Sequence, residues 1–249
     1  MEVHHPSHIA HKKKWTEYIL EFLMLFFAVF LGFLAENLRE EYIEEHRGQQ
    51  FMESLTHDLK LDTAYLNASI TEQNHRILAV DSVLDYFNKN RNEKKVSLGV
   101  MKQMRRTTWD QVFIHHSSTI DQLNNSGGMR LIHNRPVVDT IQSYYQQVRR
   151  ASARREEHDN NRQNGLAFIQ KIVDGYDNIN YYNILYEGEN PLNDSMKISI
   201  DSDNLNEYLN FLITQKRSTI NDKKMNLVLK EKAIRLITLI KKVFQIKNE

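Results

Sequence analysis

Residue types capable of acid–base or metal chemistry are grouped at four places along the 249-residue chain. His4, His5, His8 and His11 cluster near the N-terminus, and neutral imidazoles at such spacing can bind Zn²⁺, Ni²⁺ or Cu²⁺. With no cysteine in the chain and only Glu2 as a nearby carboxylate, a tail of this kind is a poor cage. The four His are weak metal candidates in a polar, partly cationic segment, and no dedicated metal site is expected. Glu72 and His75 form one Glu-x-x-His, whereas a carboxylate-bridged di-metal bundle needs two such motifs and further inward Glu residues. They are read as surface residues. His115, His116, Ser117, Ser118 and Asp121 supply the residue types of an acyl-transfer triad, but a triad is defined by geometry and not by adjacency. Ser117, Ser118 or Thr119 capping a helix that contains Asp121 accounts for the same residues. Residues 124–128 could offer backbone N–H groups to an anion, yet no strand precedes them and no Gly-Lys-Ser/Thr follows. A helix C-cap with a turn explains Gly127 and Gly128. With no nucleotide fingerprint, paired-acid constellation or zinc motif elsewhere, no catalytic residue is assigned, no cofactor is expected, and the chain is read as non-enzymatic.

A further candidate is an acid inside an apolar stretch. Residues 15–37 read WTEYILEFLMLFFAVFLGFLAEN, and at about 100° per residue they sort onto two faces of a helix. Glu21, Leu25, Ala28, Gly32, Ala35 and Glu36 share one side, while Phe22, Phe26, Phe27, Phe30 and Phe33 fall on the other. Small residues permit close helix approach in a bilayer, and polar groups there face protein or water. The first set is therefore the expected packing face and the five Phe the lipid-facing side, with Glu21 a candidate contact for an ion or a partner. The uncharged stretch 22–35 is only about 21 Å long, short of a hydrocarbon core of about 30 Å. A span must extend over about 18–37, which places Glu21 and Glu36 near opposite interfaces and Trp15 and Tyr18 where aromatic rings are favoured. A signal peptide shares the basic flank and short apolar core, but no small-x-small cleavage site follows. An uncleaved transmembrane helix over 15–37 is expected.

Charge sets the expected orientation. Lys12, Lys13 and Lys14 precede the span, and Glu36, Glu40, Glu41, Glu44 and Glu45 outnumber Arg39 and Arg47 after it. The positive-inside rule places residues 1–14 in the cytoplasm and 38–249, in a bacterial cell, in the periplasm of an inner-membrane protein. The absence of cysteine suits an exported chain that needs no disulfides. A net charge of +1 with 26% charged residues creates no global field to recruit nucleic acid or acidic substrates. Neither nucleic acid nor a small-molecule substrate is expected as a partner.

The elements that would carry these residues follow from apolar periodicity. Eight Gly and three Pro leave few tight turns, so the fold class is all-α, an elongated bundle of long antiparallel helices after the membrane helix. Phe51, Leu55, Leu59, Leu66, Ile70, Ile77, Val80, Leu84 and Phe87 form one stripe, predicting a helix over about 38–90 with Gly48 its weakest point. A second helix is expected over about 98–126, with Trp109, Val112, Phe113, Ile120 and Leu123 in the core. A third is expected over about 134–175, capped by Asn134 with Pro136 in its first turn. Within it, residues 149–164 are nearly devoid of apolar side chains, and Arg149, Arg150, Arg154 and Arg155 are offset by Glu156, Glu157 and Asp159. They are read as a solvated face. Residues 176–202 lose the pattern and are expected to form a loop with a short extended piece at 196–200. The last helix, about 203–247, starts at the potential caps Ser202 and Asp203. It carries the clearest stripe, through Leu229, Ala233, Leu236, Ile237, Ile240, Val243 and Phe244, opposite Lys230, Arg235, Lys241 and Lys242. It is read as a core helix of the bundle and not as a membrane-surface helix.

The segments HHPSH and KKKW before the span, EFLMLFFAVFLGFLAENLRE across it, FMESLTHDLKLDT after it and TIDQLNNSGGMRLIHNRPVVDTIQSYY in the middle resemble a family of single-pass inner-membrane (envelope) proteins of Bacteroidota with a helical periplasmic region. The resemblance covers the N-terminal half and the Ser-Gly-Gly segment best and fades toward the C-terminus. It implies a membrane anchor and a helical exported part, and it brings no activity, cofactor or catalytic residue. The resulting expectation is a structural or interaction subunit whose span packs on another membrane protein or on a second copy. Two other readings stay open at this point: a subunit of an ion-driven motor or channel using Glu21, and a sensory periplasmic module.

Overall fold

Trp15–Lys89 is assigned as one helix, α1, uninterrupted at Gly48. The computed structural model describes residues 14–109, 111–186, 197–201 and 204–246. The His4, His5, His8 and His11 cluster and the potential caps Ser202 and Asp203 lie outside them. The chain divides into two compact units, Met1–Gln50 and Phe51–Glu249. The first contributes the apolar beginning of α1, which is long and apolar enough to cross a membrane, with none of that window buried within the chain. The protein is all-α, with one short two-stranded ribbon among the described residues.

The second unit is built on two heptad-repeating helices. In α1 the buried positions Met52, Leu55, Leu59, Asp62, Leu66, Ser69, Gln73, Arg76, Val80, Val83 and Phe87 are spaced alternately by three and four, with Thr56, Asp58 and Ala79 buried beside them. Helix α7, Leu205–Phe244, repeats the spacing through Leu205, Tyr208, Leu212, Gln215, Thr219, Asp222, Asn226, Leu229, Ala233, Leu236 and Ile240. A 3.5-residue repeat is the seam of left-handed packed helices. Ser69–Asn226 and Asp81–Lys216 contacts set the two antiparallel. The expected stripe of α1 is thus corrected in its middle: Ile70, Ile77 and Leu84 are only half-buried, and polar side chains occupy the core positions between Leu66 and Val80.

Two further passages complete an up-down-up-down bundle. After β1 (Lys95–Ser97), α2 (Leu98–Arg106) and α3 (Ser118–Asn125) return antiparallel to α1, as Arg106 meeting Glu72 and Ser118 meeting Asp58 show. The helix expected over 98–126 is interrupted. Thr107, Thr108, Val112 and Ile114 are β-branched, and the Thr107 and Thr108 hydroxyls donate to the carbonyls of Met104 and Arg105 at 2.7 and 2.8 Å, a local alternative to helix propagation. Phe113, Ile120 and Leu123 enter the core, but Trp109 is 59% exposed. Helices α4 (Arg135–Ser152) and α5 (Arg155–Ile172) form the third passage, antiparallel to α7, as Ser143 meeting Lys232 and His158 meeting Asp222 show. Asn134 caps α4 by accepting from the Val137 N–H at 3.1 Å, as the Asn-x-Pro signal predicts. The expected loop over 176–202 instead opens with α6 (Gly175–Tyr186), which begins where Asp174 accepts from the Tyr176 and Asp177 N–H groups. Strand β2 (Lys197–Ser199) then pairs antiparallel with β1, Val96 opposite Ile198.

Apolar burial is split between two clusters. One joins Leu55, Leu59, Leu123, Ile141 and Leu236; the other joins Val83, Phe87, Met101, Ile169 and Tyr208. Gly127 stands at φ +68°, the left-handed region that ends a helix without a Cβ penalty, and a Cβ on Gly128 would meet Phe51 and Leu123 at 3.2 Å. The turn into α4 therefore lies directly on α1. We expect Leu59→Ala and Leu236→Ala each to lower the unfolding free energy by about 2–5 kcal/mol, and Gly127→Ala by about 1–2 kcal/mol. Chemical denaturation of the detergent-solubilised chain, followed by far-ultraviolet circular dichroism, measures these losses.

Candidate functional site

Every residue assigned to the two faces of the apolar helix lies on α1 and is exposed. Phe22, Phe26 and Phe30 follow one another at 6.4 and 6.1 Å between ring centroids, as i, i+4 spacing requires. On the other side, an added Cβ at Gly32 would meet nothing within 4 Å. Glu36 accepts two hydrogen bonds from Arg39, at 2.5 and 2.9 Å. This fully exposed i, i+3 pair occupies the acid at that end of the face.

The second unit brings together titratable groups that are far apart in sequence. Asp62, fully buried, accepts from the His116 backbone N–H at 2.8 Å and from the Tyr144 hydroxyl at 2.7 Å, and its Oδ1 lies 2.9 Å from His116 Nδ1. One turn earlier, Asp58 accepts from the Thr119 N–H and the Ser118 hydroxyl, each at 3.2 Å. The cap of α3 is therefore supplied by α1, a correction to the expected Ser or Thr cap, since Ser117 makes no side-chain cap bond. The pair His116–Asp62 supplies two members of a relay, but Ser118 Oγ donates to Asp58. Asp121 sits in the first turn of α3, on its exposed side. What the two aspartates do is fasten the irregular segment 111–117 and the start of α3 to α1.

Above this clamp lies a belt of polar core positions. Arg76 Nε donates to the Thr107 carbonyl at 2.9 Å, and Ser69 Oγ donates to the Gln111 carbonyl at 2.7 Å while accepting from Asn226 at 3.1 Å. With its amide nitrogen toward Thr107, Gln215 donates to the same carbonyl at 3.3 Å and accepts from Arg76 Nη2 at 2.6 Å. Asp222 receives Arg154 at 2.5 Å and His158 at 3.3 Å. Arg154 and His158 thus turn inward, a correction to the solvated reading of 149–164. A cavity of about 30 Å³ lined by Ser69, Gln73, Asp222 and Asn226 completes the belt, and the Gln73 Oε1 atom is buried there with no hydrogen-bond partner among the described residues. That volume is ample for one water molecule.

Glu72 and His75 are not isolated surface residues. Arg106 Nη2 contacts both Glu72 oxygens at 2.8 Å and His75 Nδ1 at 3.0 Å. The arrangement ties α2 to α1. No group of three or more His, Cys, Asp or Glu positioned for a metal occurs among the described residues. Periodicity did not reveal the clamp or the belt, because both depend on long-range pairs. The available signal was a run of polar residues at heptad core positions. No family model, curated protein or solved structure matches the chain.

The buried phenols make the unit sensitive to alkali. Burial first, then the charge and hydrogen bond of Asp62, raises the Tyr144 pKa; burial, then Asp62 and other carboxylates, raises that of Tyr145. Burial likewise raises Tyr208, with Thr107 opposing. Partial burial and the Glu93 carboxylate push Tyr86 up to about 12. A raised phenol pKa favours the neutral folded form, so this stability is full below about pH 10 and is lost as pH rises through the folded values. In an absorbance titration at 295 nm, Tyr144, Tyr145 and Tyr208 should ionise only together with loss of helical signal. We further expect Asp62→Leu to cost about 3 kcal/mol or more by leaving buried donors without an acceptor, and Tyr144→Phe on that background to recover part of the loss. Equal stability of Asp62→Leu and the parent in denaturant unfolding would remove the clamp.

Proposed function

We propose that the chain is a non-enzymatic, single-pass inner-membrane protein acting as a structural or assembly subunit. Residues 1–14 lie in the cytoplasm and the helical unit lies in the periplasm, where it binds another envelope protein. The apolar helix packs on another membrane protein or on a second copy. The observation that carries this reading is the two-faced surface of residues 15–37, whose large apolar side chains are exposed throughout the described part. Lipid is the natural solvent for the five-Phe side, and Ala28 and Gly32 offer the close approach that a second helix needs. The basic flank at Lys12, Lys13 and Lys14 supports the orientation.

The second unit suits a structural role. A buried polar belt that aligns α1, α2, α5 and α7 favours one packing arrangement over its slipped alternatives. The resemblance to the Bacteroidota envelope proteins supports the same placement.

Because an added Cβ at position 32 meets nothing within 4 Å among the described residues, Gly32→Leu is expected to act on a partner and leave the helix intact. It should reduce crosslinking or co-purification through the span about threefold to tenfold, the loss expected from about 0.6–1.5 kcal/mol of helix association. Undiminished association would remove the small-residue face from the reading. Glu21→Gln should leave both assembly and cellular function unchanged. Loss of function with assembly intact would instead make the chain a subunit of an ion-driven complex.

A further inference from the structure

The seam of α7 faces the bundle core, yet a second apolar row runs along its outer side. Ile213, Ile220, Leu227 and Ile234 recur at intervals of seven residues, each immediately after a core position. Ile213 is 44% exposed and Leu227 and Ile234 each 45%, and Ile220 is half-buried. On α1, the half-buried Ile70, Ile77 and Leu84 share the same seven-residue interval. The Asp81–Lys216 ion pair fixes the antiparallel register. In that register Leu84 lies level with Ile213, Ile77 with Ile220 and Ile70 with Leu227. The result is a ladder of three apolar levels about 10.5 Å apart, one heptad of helix each, with Lys216 and Lys223 emerging between its two rails. At the Leu84–Ile213 end it opens into a groove of about 400 Å³ floored by Phe87, Leu205 and Leu209.

Charge selects the occupant. Helix α7 carries nine Lys and Arg against three Asp and Glu, and the half-buried Lys216, Lys223 and Lys230 lie between its apolar row and α1, with the exposed Arg217 and Lys224 on the outer side of that row. The α1 border is near neutral, with Asn67, Asn74 and Asp81, the last already paired with Lys216. A second copy of this face would present another basic border and no matching row of acids. We infer that the α1–α7 ladder is a docking groove for an amphipathic helix of a partner protein, one with apolar residues at heptad spacing and Asp or Glu on both flanks. Such a helix adds its apolar side to the two that form the groove, and its acids meet the α7 cations. The inference rests on the reading of this unit as one that binds another envelope protein, and it names the surface and the chemistry of that partner.

The test uses the full chain in phosphatidylcholine nanodiscs and two labelled 28-residue heptad peptides, identical at their apolar positions and carrying Glu or Lys on the flanks. Fluorescence anisotropy should show the Glu peptide binding at least about tenfold more tightly than the Lys peptide, with the preference shrinking as salt screens the flanks. Leu227→Glu with Ile234→Glu should weaken the Glu peptide at least about tenfold without changing thermal unfolding of the bundle. Lys223→Glu with Lys224→Glu should abolish the preference between peptides, and this pair decides the matter should the first fail to fold. Equal binding of the two peptides, no binding of either, or insensitivity to both variant pairs overturns the groove. Dimers of the chain that the stripe variant dissolves would assign the face to a second copy, and capture of phosphatidylglycerol vesicles that the variant abolishes would assign it to a membrane; either result also overturns it. Gentle extraction of the same chains from native envelopes separates the two levels of inference. A partner retained equally by parent and stripe variant removes the groove and leaves the structural role standing, whereas no partner on the parent removes that role and leaves the groove to the peptides.

Discussion

The backbone of the second passage stops being helical at Thr107, and the rest of the bundle is arranged around that interruption. Carbonyls freed from a helix and turned toward a core must find donors, because a buried polar group left unpaired costs about 1–3 kcal/mol. The carbonyls of Thr107 and Gln111 find them in Arg76 and Ser69. Those residues occupy heptad core positions of α1 that would otherwise hold Leu or Val. Their own remaining groups then call for Gln215 and Asn226 across the seam. One break in one passage thus dictates polar side chains in two others.

The same requirement explains the aspartate clamp. Segment 111–117 makes no helical ladder, so its ends are held from outside. Asp62 holds one end through the His116 N–H, and Asp58 holds the start of α3. Both acids sit one helical turn apart on α1 and accept donors from segments more than fifty residues away. The result is a set of catalytic-looking residues whose hydrogen bonds are already used in holding the fold.

Much of the architecture was legible in the sequence. Long-range apolar periodicity marks α1 and α7, the Asn134 and Pro136 signal marks the start of α4, and the glycines at 127 and 128 mark the turn before it. The interruption after α2 was not legible, because it contains neither Gly nor Pro and its Val112, Phe113 and Ile114 mimic a continuing stripe. Helix α6 was hidden by a composition rich in Asn and Tyr, and its start depends on Asp174 as a local acceptor. The inward turn of Arg154 and His158 was invisible for a different reason. Their partner Asp222 lies more than sixty residues away and was itself indistinguishable from a surface acid. The apolar helix at the start of the chain stood out at once, since its side chains advertise their solvent without reference to any other part of the chain.

The polar belt also divides the core. Leu59 and Leu236 belong to one apolar cluster, Phe87 and Tyr208 to the other, and no buried apolar residue is shared by both. Cooperative melting ordinarily spreads through continuous packing. Here it must cross from one half to the other along the backbones of α1 and α7 and through a handful of hydrogen bonds. Each half can therefore loosen on its own timescale, and the belt acts as the coupling between two folding units that share their longest helices.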